Sequence, residues 1–148
     1  MGVNGHPDHI QAHRITMEAV AQTGIPAKVY WTTAPHSAME EMGRVVRELG
    51  GDWDLPEQDS DSGEAKAAPG VPPIGLPDEE ISTWVDVKAF GAVKYEALKA
   101  HASQSENIFF LGMGVERFTR LMGTETFVRV RDSTGAPLPE DDLFAGLR

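Results

Sequence analysis

Apolar residues along this chain recur at helical spacing in some stretches and at strand-like spacing in others, which is typical of an α/β fold. The pattern predicts helices over residues 8–23, 36–49, 88–103 and 115–122, and strands over residues 27–33, 81–87 and 124–131. Gly24 followed by Pro26 ends the first helix. One face of the helix over 88–103 is expected to be buried, and it consists of Phe90, Val93, Ala97 and Leu98.

The stretch between the second predicted helix and the second predicted strand differs in composition from the rest. Residues 51–76 are rich in aspartate, glutamate and proline, with Lys66 as their single basic residue. Such a composition buries too little apolar surface to offset the entropy of ordering. We therefore predict a flexible acidic and proline-rich loop over 51–76, which proteases cut first and in which Trp53 is the residue that anchors it.

Composition narrows the class of protein. The chain has 148 residues, enough for one core, and 13 basic against 23 acidic residues give a net charge of −10, which argues against a nucleic-acid partner. It has no cysteine, which excludes disulfides and thiolate metal sites. No apolar run is long enough to span a membrane and no leader is visible, so we expect a cytoplasmic protein with one domain over residues 1–148.

Three of the five histidines fall within the first thirteen residues, together with an aspartate. Pro7 suits the first position of a helix, which places His6 at the cap and Asp8 in the first turn. His9 and His13 are four residues apart and share one helix face. Imidazole binds zinc and exchanges protons near neutral pH, so the cluster is a candidate metal or acid–base site. His-x-x-His alone supplies at most two of the three or four ligands that a zinc site needs, and no His-Glu-x-x-His motif is present.

The same residues carry a resemblance to a known family. The run Gly5-His6-Pro7-Asp8-His9-Ile10-Gln11-Ala12-His13 resembles the motif G-H-P-D-H-x-x-x-H of the LmbE-like de-N-acetylases. That family includes N-acetylglucosaminyl-phosphatidylinositol de-N-acetylase and the actinobacterial mycothiol deacetylase and mycothiol conjugate amidase. Three further segments resemble its mycothiol branch, namely residues 28–32, 94–104 and 140–147. The resemblance covers nearly the whole chain outside the stretch around 50–76.

The resemblance implies a Rossmann-like α/β fold and a zinc-dependent hydrolase of an N-acetylglucosaminyl or related amide substrate. By position in the motif, His9 would be a zinc ligand. His6 would be the protonated group that stabilises the oxyanion and gives a proton to the leaving amine, and Asp8 would orient a histidine. His13 and His101 would have an orienting or structural role.

Two departures from the family pattern are visible. Asn4 stands two residues before His6, where the mycothiol deacetylase has a tyrosine that helps in the active site. The family's opening H-P-D-D-E motif, which supplies two zinc ligands and a general base, is absent from this sequence. We therefore expect the C-terminal part of a Rossmann-like sheet with flanking helices that lacks the N-terminal strands. One zinc ligand is matched, and the other two are expected in a missing N-terminal part.

Two hypotheses of function follow. The first is a zinc-dependent de-N-acetylase or amidase of a small amino-sugar or amide substrate, in N-terminally truncated form and inactive by itself. The loop over 51–76 would then have a possible lid role, since the family has loops over the active-site mouth there. The alternative is a catalytically inactive remnant or an interaction module. In either case, apolar helix faces and a sheet edge left exposed would favour self-association.

Overall fold

A computed structural model describes residues 7–51, 75–101 and 107–148 as a mixed α/β arrangement. The helices are α1 (Pro7–Thr23), α2 (His36–Glu48), α3 (Gly91–Ala100), α4 (Asn107–Gly112) and α5 (Val115–Met122), and the strands are β1 (Lys28–Thr32), β2 (Thr83–Asp86) and β3 (Thr124–Asp132). Short 3-10 helices precede β2 at Asp78–Glu80 and precede α3 at Lys88–Phe90. The α/β class predicted from the apolar pattern is confirmed. None of the helices described is long and apolar enough to cross a membrane.

The three strands form one antiparallel sheet with β3 at its centre. Strand order is β1-β3-β2, and β3 pairs antiparallel with both neighbours. The register of β1 against β3 shifts between Val29 and Tyr30. A small antiparallel sheet of this kind is consistent with part of an α/β fold, but by itself it is not a Rossmann-like parallel sheet.

The predicted strands all occur, each close to its expected bounds, and so do the predicted helices that begin at residues 8, 36 and 115. The helix expected over 88–103 starts instead as a 3-10 turn and becomes α-helical at Gly91. Its last residues, and most of the loop expected over 51–76, lie outside the described part of the chain. Helix α4 has no counterpart among the predicted elements.

The buried face predicted for α3 is wrong except at Leu98, which is half-buried against the core, and Ala97 is exposed. Phe90 and Val93 are 62% and 67% exposed, whereas Gly91 and Tyr95 are buried. The helix turns these two residues inward because α5 lies against it. The backbone at Gly91 meets Thr119 of α5, and the Tyr95 hydroxyl donates to the carbonyl of Leu111 at 2.7 Å. The buried face of α3 is therefore decided by a glycine that allows close helix contact and by a tyrosine with a buried partner, and not by the spacing of apolar residues alone.

The hydrophobic core lies between the helices that follow β1 and β2. Its buried members come from α2, α3, α5 and the turn before α5, and they are Met42, Val46, Tyr95, Met113 and Phe118. The rings of Tyr95 and Phe118 pack edge to face, with centroids 5.4 Å apart. Helix α1 lies outside this cluster and buries only Val20.

Substituting Gly91 tests the close contact between α3 and α5. An added Cβ would stand 2.7 Å from the Cβ of Thr119, and no rotation of the threonine moves that atom. We expect Gly91→Ala to lower the free energy of unfolding by about 1–3 kcal/mol, the usual cost of overpacking. Urea denaturation measures it. Gly112→Ala in α4 is the matched control, since an added Cβ there meets nothing within 4 Å. Equal stability of the two variants would contradict the contact.

Candidate histidine site and buried carboxylate

The histidine motif lies at the start of α1, and the structure describes it from Pro7 onward. His6 is outside the described residues, so its predicted position at the helix cap stays a prediction. Asp8 and His9 are exposed in the first turn of α1, and His13 follows one turn later in a half-buried position. The helix itself was predicted from Pro7 and the apolar spacing, and the structure has it from Pro7 to Thr23.

His13 connects α1 to the sheet. Its ring packs edge-on against the indole of Trp31 on β1, with centroids 5.1 Å apart. Trp31 is 41% exposed, so the contact sits at the surface. His9 lies one turn before His13 on the same helix face. The contact with Trp31 ties α1 to β1, and the orienting or structural role expected of His13 stays a prediction.

The other end of α1 is fixed by Arg131 of β3. Its guanidinium donates to the carbonyls of Val20 and Gly24, each at 3.4 Å. A cation at the last carbonyls of a helix also complements the helix dipole. Helix α1 is thus held at its C-terminal end and at His13, while its first turns face solvent.

The two remaining histidines lie apart from the motif in the chain. His36 is the first residue of α2, and its backbone N–H donates to the carbonyl of Leu76 at 2.9 Å. His101 follows α3 and is exposed. Within residues 7–51, 75–101 and 107–148, no group of three or more His, Asp or Glu side chains could hold a metal ion. The described donors therefore do not make a complete zinc site by themselves.

The chemically most unusual group in the structure is a buried carboxylate that the sequence did not reveal. Glu140 is 7% exposed and accepts four hydrogen bonds. One carboxylate oxygen receives the Tyr30 hydroxyl at 2.7 Å and the Thr83 hydroxyl at 3.1 Å. The other receives the Lys28 ammonium at 2.7 Å and the Arg129 guanidinium at 3.1 Å.

These partners set the protonation of Glu140. Burial by itself raises the pKa of a carboxyl group, but the hydrogen bonds from Lys28, Tyr30 and Thr83 outweigh it, so the pKa of Glu140 lies below its ordinary value. For Lys28, burial works toward a lower pKa, and the hydrogen bond to Glu140 reverses this, so the pKa of Lys28 is raised. Burial and the hydrogen bond to Glu140 both raise the pKa of Tyr30. The carboxylate is ionised and fully paired, which is the arrangement of a structural anchor.

The anchor holds the C-terminal segment against the sheet. The Glu140 backbone N–H donates to Ser82 at 3.0 Å, and its carbonyl accepts from Trp84 at 2.9 Å. Arg129 also donates to the carbonyl of Ala136 at 2.7 Å. No signal in the sequence marks Glu140 as buried, since it stands among Pro139, Asp141 and Asp142 in a polar run.

Comparison with known proteins finds that the chain is similar in sequence to several named deacetylases. It is 35% identical over 156 residues to an enzyme of Salinispora arenicola, 37% over 157 residues to one of Acidothermus cellulolyticus and 34% over 160 residues to one of Geodermatophilus obscurus. Each of the three is named 1D-myo-inositol 2-acetamido-2-deoxy-alpha-D-glucopyranoside deacetylase. Each alignment covers 99% of this chain. No family model matches the chain, and no solved structure matches it.

The resemblance noted in the sequence is confirmed by these relatives. The matches are to inositol acetamido-glucopyranoside deacetylases, which is the branch that the sequence resemblance indicates. The chain spans about half the length of the curated relatives it matches, with 47% to 52% of each covered.

Proposed function

We propose that this chain contributes the histidine motif of a zinc-dependent de-N-acetylase. The substrate class is an N-acetylglucosaminyl inositol or a related amide. The observation that carries the proposal is identity of 34% to 37% with named deacetylases along 99% of the chain. The geometry supports it, because His9 and His13 lie on one face of α1.

The motif assigns a separate task to each residue. His9 binds zinc, which supplies an activated water for attack on the amide carbonyl when it is bound. His6, in protonated form, stabilises the oxyanion and gives a proton to the leaving amine. Asp8 orients a histidine of the site by accepting a hydrogen bond from it. These roles rest on the resemblance, and the exposed first turns of α1 are compatible with them.

The remaining parts of the site would come from the region of the relatives that this chain does not span. A catalytic zinc site takes three protein ligands, and His9 supplies one of them. β1 is an edge strand of the described sheet, and Trp31 on it is 41% exposed. We infer that strands carrying an H-P-D-D-E motif would join at this edge and not at β2, because β1 contacts the motif helix α1 through Trp31 and His13. The DNA upstream of Met1 tests whether the remaining ligands are encoded there. An in-frame H-P-D-D-E motif supports the deacetylase, and a stop codon supports a non-catalytic remnant or interaction module.

The alternative is a non-catalytic remnant or interaction module of the same family. It is favoured by large apolar side chains at the surface of the described part, among them Ile15, Ile25, Phe90 and Val93. Such a surface favours self-association, which stays a prediction. Under either hypothesis we propose a cytoplasmic location, which cell fractionation tests.

Zinc binding by the chain as given separates a partial site from a complete one. We expect weak binding or none in a calorimetric titration, because His9 is one of three ligands implied by the family and the described residues hold no metal cluster. His9→Ala should abolish whatever binding remains, and His36→Ala at the start of α2 is the control that leaves it unchanged. A one-to-one site of nanomolar affinity that His9→Ala removes would show that the ligand set is complete without the other half.

A further inference from the structure

A cavity of about 430 Å³ lies beside the C-terminal half of α3, between this helix, α4, α5 and the start of β3. Its walls are mostly apolar and include Leu98, Phe110, Phe118 and Met122. Three polar side chains line it as well, namely Lys94, His101 and Glu125. A volume of several hundred Å³ with apolar walls and a few convergent polar groups is typical of a small-molecule site.

The walls of the cavity are held in place by the core beneath them. Phe118 is 4% exposed and packs edge-on against Tyr95 at 5.4 Å. The Tyr95 hydroxyl donates to the carbonyl of Leu111 in α4 at 2.7 Å, which ties α4 to α3. At the other end of α3, Gly91 lies against Thr119 and fixes the distance between α3 and α5. These contacts fix the spacing of α3, α4 and α5 around the space.

The polar groups are arranged to receive an anion. The Lys94 ammonium donates to the carbonyl of Met122 and to the carboxylate of Glu125, both at 2.6 Å. An ammonium has three N–H donors, so one is left over by these two bonds. His101 comes seven residues after Lys94, which puts it on the same side of α3 and about 10 Å further along the axis. Its imidazole offers a second donor at the other end of the cavity.

We propose that this cavity binds a small carboxylate with an apolar aryl or alkyl body. The body would cover the rings of Phe110 and Phe118, and the carboxylate would accept from Lys94 or His101. The negative charge of Glu125, which also lines the cavity, is compensated by Lys94 at 2.6 Å, and the carboxylate of the ligand would accept the Lys94 N–H that this ion pair leaves over. The site involves neither His9 nor zinc, so it stands or falls independently of the deacetylase proposal.

Three ligands with the same apolar body test the charge preference. The chain is titrated with 4-phenylbutyrate, 4-phenylbutylamine and 4-phenylbutanol, and binding is followed by calorimetry. We expect the carboxylate to bind tightest, by about tenfold, the scale of one hydrogen bond to a charged group. Absence of binding by the carboxylate, or tighter binding by the amine or the alcohol, would overturn the proposal.

Two variants on α3, each replacing an alanine by phenylalanine, test whether the ligand binds in the cavity. Ala97 lines the cavity and Ala92 does not, and both are exposed on the same helix. Ala97→Phe should weaken 4-phenylbutyrate binding by about tenfold or more by filling the space, while Ala92→Phe should leave it unchanged. Equal binding by the two variants would place the ligand elsewhere.

A second pair keeps the test valid if Ala97→Phe fails to fold, which circular dichroism reveals. Lys94 and Lys99 each form an ion pair with a glutamate at 2.6 Å, but only Lys94 lines the cavity. Lys94→Met should remove the preference for the carboxylate over the alcohol, and Lys99→Met should keep it. A preference that survives Lys94→Met would contradict the assignment of Lys94 as the anion donor.

Discussion

Glu140→Ala is expected to lower the free energy of unfolding by about 3–5 kcal/mol, the usual cost of removing one partner from a buried ion pair. The size of the loss follows from what the substitution leaves behind. Lys28 and Arg129 have side chains that are 2% and 9% exposed; Lys28 would be left in the interior without its carboxylate, and Arg129 would keep only the longer ion pair with Asp132 at 3.6 Å. The hydroxyls of Tyr30 and Thr83 would lose their bonds to Glu140 and keep only the longer ones, at 3.3 Å, to the Leu143 carbonyl and the Ser82 hydroxyl. Urea denaturation followed by circular dichroism measures the loss.

Two further variants are compared with Glu140→Ala: one separates charge from packing at the same position, and the other is a surface control. Glu140→Gln keeps the shape and one acceptor oxygen but removes the charge, so we expect a loss smaller than that of Glu140→Ala. Glu79→Ala is the surface control, since Glu79 is exposed and changes of this kind stay within about 0.5 kcal/mol. The anchor role is refuted if Glu140→Ala and Glu79→Ala unfold at the same urea concentration.

Stability should also depend on pH through this cluster. The pKa of Glu140 is lowered in the folded protein, so its contribution is fully present above the ordinary value of 4.5 and is lost as pH falls through the folded pKa. The pKa values of Lys28 and Tyr30 are raised, so their contributions are present below 10.5 and 10.0 and are lost at higher pH. In Glu140→Gln, unfolding measured from pH 3 to 11 should lose the acid-side contribution of Glu140 and the alkaline contribution of Lys28, because both need the carboxylate, and should keep the part of the Tyr30 contribution that comes from burial.

The helices and strands whose apolar residues recur at regular spacing were predictable from the sequence. The β-branched and aromatic run in β1 and the amphipathic spacing of α2 each contain enough local information to define the element. The face of α3 was not predictable in the same way. Its Gly91 and Tyr95 are buried because of partners in α5 and before it, and an apolar count cannot include a contact between distant residues.

The burial of the Glu140 carboxylate could not be predicted from the sequence at all. Glu140 and its partners Lys28 and Thr83 stand 112 and 57 residues apart in the chain. Nothing in the local sequence distinguishes Glu140 from Asp141 beside it, which is exposed. Only the antiparallel pairing of β3 with both neighbours brings the two cations and the hydroxyls to one point. Buried charges are therefore found from the tertiary fold, not from composition.

For the histidine motif, in contrast, the local sequence was informative. Spacing alone placed His9 and His13 on one helix face, and the structure has that helix. What spacing could not supply is the set of remaining ligands, because these would lie on other elements. The contact of His13 with Trp31 was equally out of reach, since it depends on how α1 returns to β1. Family resemblance, not periodicity, gave His6, Asp8 and His9 their proposed roles.

Catalysis by the longer protein that we propose should depend most on His6. We expect His6→Ala to keep the zinc and to lower kcat by roughly 10²–10⁴-fold, the scale for a positioned acid or base. The reason is that the leaving amine must be protonated as the amide bond breaks, and the motif assigns that proton to His6. Asp8→Ala should cost less, about 10–100-fold, because an orienting carboxylate acts through the histidine that it holds. Metal content is measured on each variant beside turnover.

Comparing His9→Ala with His6→Ala in the same longer protein separates metal binding from proton donation. His9→Ala should remove zinc and turnover together, whereas His6→Ala should remove turnover alone. His36→Ala is the control, since His36 lies outside the motif and its bond to Leu76 is made by the backbone N–H, which alanine keeps. The 148-residue chain by itself should release acetate from an N-acetylglucosaminyl substrate no faster than buffer, because no residue in it matches the family's general base. Release of acetate by this chain alone that a chelator and His6→Ala both abolish would refute the requirement for the other half. It would then direct the search for a base to the acidic stretch over residues 51–76.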